Sequence, residues 1–240
     1  PTLTGTAMVV DFRNDRVLAE AMSDAQIDRF CPFFRETTGQ MPLLLNAETL
    51  ALLLARVNAN DLMPSSFTSD AAVESEVQIS LGLEFLTWLW YYWEKEGGVF
   101  RLKNGDECGY MLEGPLLFFR EGKGAHEAVL RKGTPLLSRE AGMALFCGKK
   151  LKRAKFTLAH GEQVWTATID ADFAFRSLKL PPGDQPDLAG QFQERMLAIE
   201  TFLQAYFELY ERFLALRSNP AEWSLCLNGI RAWVANLAGI

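Results

Sequence analysis

Residues 85–93 read Phe-Leu-Thr-Trp-Leu-Trp-Tyr-Tyr-Trp, and no other stretch limits the possible folds so tightly. The run leaves no polar face to give to water. It is too short to span a bilayer, which takes about 20 apolar residues, and too aromatic for a linker. The spacing predicts a helix buried on most of its circumference and ended by a left-handed glycine at Gly97-Gly98. Such a helix needs neighbours on several sides, so the rest of the chain must supply a layered core. Any uncovered part would be a docking surface, for a partner or for bases stacked as in single-strand binders. Core packing is the simpler use.

The chain before this helix is predicted to form a small α+β unit. Residues 7–12 and 17–22 read as paired strands around the turn at Asn14-Asp15. Ser23 is an N-cap for a helix that carries Ile27, Phe30, Cys31 and Phe34 on one side and stops at Gly39. Pro42-Leu43-Leu44-Leu45 is expected as a short buried strand, and residues 47–57 as a buried apolar helix. This β-β-α-β-α order defines a first subdomain over residues 1–65, followed by a connecting loop over residues 58–72.

Residues 66–240 are expected to form a larger α+β subdomain. Residues 73–80 alternate loosely, as a strand does. After Gly98 the period turns to two, with strands over 99–102 and 107–112 flanking the hairpin signal Asn104-Gly105. Residues 116–120 and 127–130 read as two more strands. Ser138 caps a helix ending at Cys147-Gly148, and residues 149–160 and 163–170 form a hairpin about Gly161. Residues 176–191 read as irregular. A long helix over 191–216 is broken at Pro220, and a closing helix covers 221–237. The long helix has aromatic residues, among them Phe202, Tyr206, Phe207, Tyr210 and Phe213, that wrap more than one face, with Trp223 and Trp233 beyond. Most would be core, and the excess a subunit or interdomain contact.

With 24 basic and 30 acidic residues the formal charge is −6, which argues against a strong nucleic-acid binder, since phosphate contacts need clustered Lys and Arg. It leaves room for a local cationic patch. The four cysteines, Cys31, Cys108, Cys147 and Cys226, form no C-x-x-C pair, and with only two histidines no zinc site is indicated. Scattered cysteines fit a reducing cytoplasm. The first residue is proline rather than methionine, so a longer parent chain is expected.

One charged cluster has a mechanism attached. Lys149, Lys150, Lys152, Arg153 and Lys155 fall on one predicted strand. Arg153 and Lys155 would face one way, with Lys149 on their side, and Ala154, Phe156 and Leu158 the other. Cations about 7 Å apart match the spacing of phosphates along a nucleic-acid strand. Arg131 and Lys132 at a strand end, and Arg120 and Lys123 beside the glycine loop, would extend the surface. The competing use is an edge strand that keeps lysines to block aggregation. Gly122-Lys123-Gly124 lacks the order of a phosphate-binding P-loop and reads as a hairpin loop.

Acidic candidates for a two-metal nuclease are Asp11, Asp15, Asp70, Glu74, Glu76, Asp170 and Asp172, but no motif makes them converge. His126 and His160 mark no constellation, and no serine or cysteine nucleophile has an evident base. No catalytic residue, metal or cofactor is therefore expected.

Several words, taken in order, resemble the recombination-associated RdgC family in its shorter, divergent bacterial branch. They are Glu84-Phe85-Leu86-Thr87-Trp88-Leu89-Trp90, Cys147-Gly148-Lys149-Lys150-Leu151, Ser177-Leu178-Lys179-Leu180-Pro181, and Phe192-Gln193-Glu194-Arg195-Met196 with Ile199-Glu200. Met8-Val9-Val10-Asp11 through Pro42-Leu43 is similar to the middle of that family. The resemblance covers roughly residues 7–216. It implies a non-enzymatic protein of the nucleoid that encircles duplex DNA as a homodimer, binds without sequence preference and limits loading of a recombinase. It also implies a further N-terminal region ahead of Pro1, and basic residues facing DNA at Gly148-Lys149-Lys150. Two other classes stay open: a protein-interaction module built on the aromatic helices, and a metal-dependent nuclease. No membrane partner is expected.

Overall fold

The fold is that of a computed structural model, which describes residues 5–68, 79–120 and 126–240. It is α+β, in two compact units, Pro1–Leu45 and Asn46–Ile240. The expected strand over 73–80 lies largely outside the described residues.

In the first unit, strands β1 (Met8–Asp11) and β2 (Arg16–Ala19) pair antiparallel with Met8 opposite Ala19. The Asp11 carboxylate builds the turn between them. It accepts from the Arg13 N–H at 3.1 Å, the Asn14 N–H at 3.2 Å, the Asn14 side-chain amide at 2.8 Å and the Arg16 guanidinium at 3.0 Å. The Asn14 and then the Arg16 hydrogen bonds hold its pKa down at about 2. Helix α1 (Asp24–Thr38) starts where Gln26 Oε1 accepts the Ser23 N–H and ends at the left-handed Gly39. Pro42–Leu45 is not a strand: no described segment pairs with it. No described residue of this unit is buried.

The second unit begins with α2 (Ala47–Ala55), which moves the division from the expected residue 65 to residue 45. Only Ala47, Leu50 and Ala51 of α2 are buried, against the long helix near the C-terminus. The expectation of a helix buried throughout fails here, because Leu52 and Leu53 lie on its outer side, 55% and 57% exposed.

The aromatic run forms α3 (Leu81–Glu96), closed by Gly97 in the left-handed region as expected. Its first ten residues, Leu81 to Trp90, are all buried. Phe85 sits among Tyr206, Tyr210, Phe213 and Phe173, with ring centroids 4.9–5.9 Å away. The rings that suggested a stacking platform are thus largely consumed by the core, each burying area worth several kcal/mol at about 25 cal/mol per Å². Trp90 and Trp233 both donate to the Glu94 carboxylate at 2.7 Å. That accounts for Trp233, an aromatic residue the sequence left over.

Beside α3 stands a six-stranded antiparallel sheet of β3 (Val99–Arg101), β4 (Glu107–Phe119), β5 (Glu127–Leu130), β6 (Lys150–His160), β7 (Gln163–Asp170) and β8 (Phe175–Lys179). The order is β3-β4-β6-β7-β8, and β5 pairs β4 beyond β3. The two expected strands at 107–112 and 116–120 are one long strand, and β8 replaces an expected irregular stretch. Ser177 of β8 has φ 51° and the β7–β8 register shifts, which hides the period of two. Helix α4 (Arg139–Phe146) follows the Ser138 cap, whose Oγ accepts the Ala141 N–H at 3.2 Å. Helices α5 (Leu188–Arg217) and α6 (Pro220–Ala238) close the chain, with Pro220 at the first turn of α6, where no N–H is needed.

Candidate nucleic-acid interface

Strand β6 carries the predicted basic row between β4 and β7, so it is a central strand and not an edge. Ala154, Phe156 and Leu158 are fully buried while Arg153 and Lys155 are partly exposed, as the alternation requires. The cations themselves are mostly spoken for. Glu113 of β4 is directly opposite Lys155, and their charges meet at 2.7 Å. Asp170 of β7 is directly opposite Arg153, whose Nη2 and Nε lie 2.5 and 2.8 Å from one carboxylate oxygen. Cross-strand neighbours of opposite charge are the ordinary way a sheet satisfies such side chains.

Lys150 is buried. Its ammonium lies 3.2 Å from Glu84 of α3 and 5.1 Å from the Phe67 ring centre. Glu84, wholly buried, also accepts from Arg217 Nε at 2.8 Å, and Arg217 donates to the Met63 carbonyl at 2.6 Å and stacks on Trp223. A carboxylate between two cations joins α3, β6, α5 and the segment at Met63. Burying these charges costs several kcal/mol each unless they are paired in this way. Lys150 is thus a core residue and cannot reach a phosphate, which corrects its expected role.

Lys152 is intermediate. A register shift makes it the extra residue opposite Leu117–Phe118 of β4. Its ammonium lies over the Phe119 ring at 4.5 Å and 3.8 Å from Glu127, a long contact to a carboxylate that is 54% exposed. Such a pair contributes about 0–1 kcal/mol. Lys149 is half-buried and has no ion pair among the described residues. Its N–H returns to the Ala144 carbonyl in the turn after α4, where Gly148 takes φ 82°. Arg120, at the end of β4, donates to the Cys147 carbonyl at 3.2 Å. Arg131 and Lys132 are exposed past β5, in no ion pair among the described residues, with Lys132 at φ 67°. Lys123 and its glycine loop lie outside the described residues.

The five-cation row is therefore not a continuous phosphate track. Four of its members have a carboxylate within 4 Å, two of them half in solvent and one in the core. Of the five, only Lys149 has no carboxylate within 4 Å among the described residues, and it stands at the joined ends of β4 and β6 beside Arg120, which is bonded to the Cys147 carbonyl, and Lys152, which is held by its long contact to Glu127. Sequence reasoning named all three. It missed Glu84, Arg217, Glu113 and Asp170 as their neighbours' partners, because pairs 17 to 133 positions apart leave no local signal.

Among the described residues no three His, Cys, Asp or Glu side chains gather as a metal site would need. Asp170 is engaged by Arg153 and Asp11 by its own turn, while Asp70, Glu74 and Glu76 lie outside the described residues. His160 lies 3.4 Å from Asp106, and His126 against the Arg120 carbonyl. All four cysteines are free thiols. Burial pushes the Cys108 pKa up to about 11, so that thiol is unreactive at neutral pH. No described helix is long and apolar enough to cross a membrane. No family model matches the chain, and no curated protein matches it.

Proposed function

We propose that this protein binds double-stranded DNA through backbone phosphates, without sequence preference, and acts by occupancy, limiting access of a recombinase to the duplex in the nucleoid. The observation that carries the reading is that the β4–β6 pairing brings Arg120, Lys149 and Lys152 to one end of the two strands, with Arg120 hydrogen-bonded to the Cys147 carbonyl in the turn before Lys149. The ordered words resembling RdgC proteins support it, since Lys149 falls in one of them, Cys147-Gly148-Lys149-Lys150-Leu151. Arg131 and Lys132 supply further positive charge past β5. The mechanism asks nothing of a nucleophile or a metal. Each cation neutralises a phosphate and releases a counterion.

The test is a salt titration of binding to a random-sequence duplex. Replacing Arg120, Lys149 and Lys152, together with Arg131 and Lys132, by Gln should weaken binding and reduce the log K against log[salt] slope by about 1 for each phosphate that is no longer neutralised. Replacing Arg153 and Lys155 by Gln should leave that slope unchanged, since their charges are already opposed by Asp170 and Glu113. A slope indifferent to the first set of changes, or no binding at low salt, sinks the reading.

A second reading, a protein-interaction module, rests on the outer face of α2. Leu52 and Leu53 there, and Met63 in the following segment at 80% exposure, have no described cover. This reading requires the mass in solution to rise with concentration or on adding a partner, and to stop rising when both leucines become Ser.

A further inference from the structure

Two of the sequence words that the phosphate contacts leave unused, Ser177–Pro181 and Phe192–Met196, meet in space. Leu178–Pro181 of the first and Glu194 and Arg195 of the second line an open groove of about 650 Å³ in the second unit, between β8 with its extension to Gly183 and the first half of α5. That is an ordinary size for a ligand site. We propose that this groove binds an extended peptide segment of a partner protein, which adds to the free edge of β8 and places one carboxylate between Lys179 and Arg195.

The wall on the strand side comes from β8, the last strand of the sheet, with Gln163 of β7 beside it. Among the described residues β8 ends the sheet and pairs only with β7, so one side of its backbone has no strand partner. Ser177 is left-handed, and Pro181 and Pro182 have no N–H. Regular pairing is therefore confined to Leu178, Lys179 and Leu180, enough for a short added strand. A peptide laid between a sheet edge and a helix gains backbone hydrogen bonds from the first and side-chain contacts from the second. Leu197, 55% exposed on α5, offers the apolar contact.

The groove is held in shape before anything binds. The Glu194 carboxylate accepts the Asp184 N–H at 3.3 Å and the Gln185 N–H at 3.2 Å, and Gln191 donates to the Gln185 carbonyl at 3.1 Å. A side chain at Gly183 would push aside the Glu194 carboxylate that holds the loop. A wall fixed in advance lowers the ordering cost of binding.

Charge selects the occupant. Lys179 and Arg195 line the groove and are in no ion pair among the described residues, while Glu194 is turned to the loop backbone. Asp184 and Asp187 stand at the same end of α5. The charged side chains that line the groove are two cations and one acid, a surplus of one positive charge that suits a single carboxylate, while Asp184 and Asp187 outside the lining disfavour a longer polyanion.

The experiment is selection of phage-displayed random heptapeptides on the whole protein, followed by fluorescence anisotropy with a synthetic copy of the enriched sequence. Enriched peptides should share one Asp, Glu or terminal carboxylate. Lys179→Glu with Arg195→Glu should weaken the synthetic peptide about tenfold or more, the loss of a charge pair at a binding site. N-methylation of one backbone amide in the peptide should also abolish binding, which a purely side-chain contact would not show. The same double variant should keep the DNA affinity and salt slope of the parent, so failure here and failure of the DNA reading are told apart. No enrichment, or enriched peptides indifferent to the double variant, overturns the proposal.

Discussion

Glu84 shows how far a single residue can stand from its apparent role. In the sequence it is the acidic residue that opens an aromatic run. In the fold its two oxygens meet Lys150 and Arg217, and through them four segments are held together. Removing its charge leaves two buried cations facing each other. Glu84→Gln should therefore cost about 3–5 kcal/mol of unfolding free energy in denaturant titration at neutral pH. The companion change Lys150→Met should cost less, because Glu84 keeps Arg217. A loss of under about 1 kcal/mol for Glu84→Gln would mean that solvent reaches the centre and that the three charges do not act as a unit.

At the scale of elements, what the sequence announced was local. Ser23, Ser138, Gly39 and Gly97 end or begin helices where capping physics puts them, and residues 163–170 form a strand with the expected limits. Elements whose identity depends on neighbours were less legible. Pro42–Leu45 looked like a strand but finds no partner, and β8 looked irregular but is made a strand by β7. Helix α2 looked fully buried from its composition, yet nothing in its own residues says how many sides the fold will cover. Its two exposed leucines give a clean test. Leu52→Ser with Leu53→Ser should change unfolding free energy by no more than about 0.5 kcal/mol per site, as surface positions do. Leu50→Ser should cost several-fold more, by cavity and by a buried hydroxyl.

For the whole molecule, the contrast between the units is one of burial. The second unit holds the fully buried aromatic cluster and a six-stranded sheet, while the first has a two-stranded sheet and no buried residue among those described. A lone hairpin with so little core is marginal in water. Amide hydrogen exchange should accordingly be fast over residues 8–38 and slowest over β4, β6 and β7, with several kcal/mol between them. Equal protection in the two regions would show that the first unit is stabilised by something its own burial does not supply.

The sequence by itself determined the α+β class, most helix ends, the hairpins and the buried aromatic helix. Those follow from contacts and dihedral preferences a few residues apart. It also placed Lys149 and Lys152 near each other in the chain, and Arg120 at the end of the strand that pairs with theirs. Only the tertiary structure decided which charges are available. Strand register set Glu113 against Lys155 and Asp170 against Arg153, and the core placed Glu84 on Lys150. A charge's neighbours across a sheet are chosen by pairing between distant segments, and that pairing leaves no mark in the residues beside it.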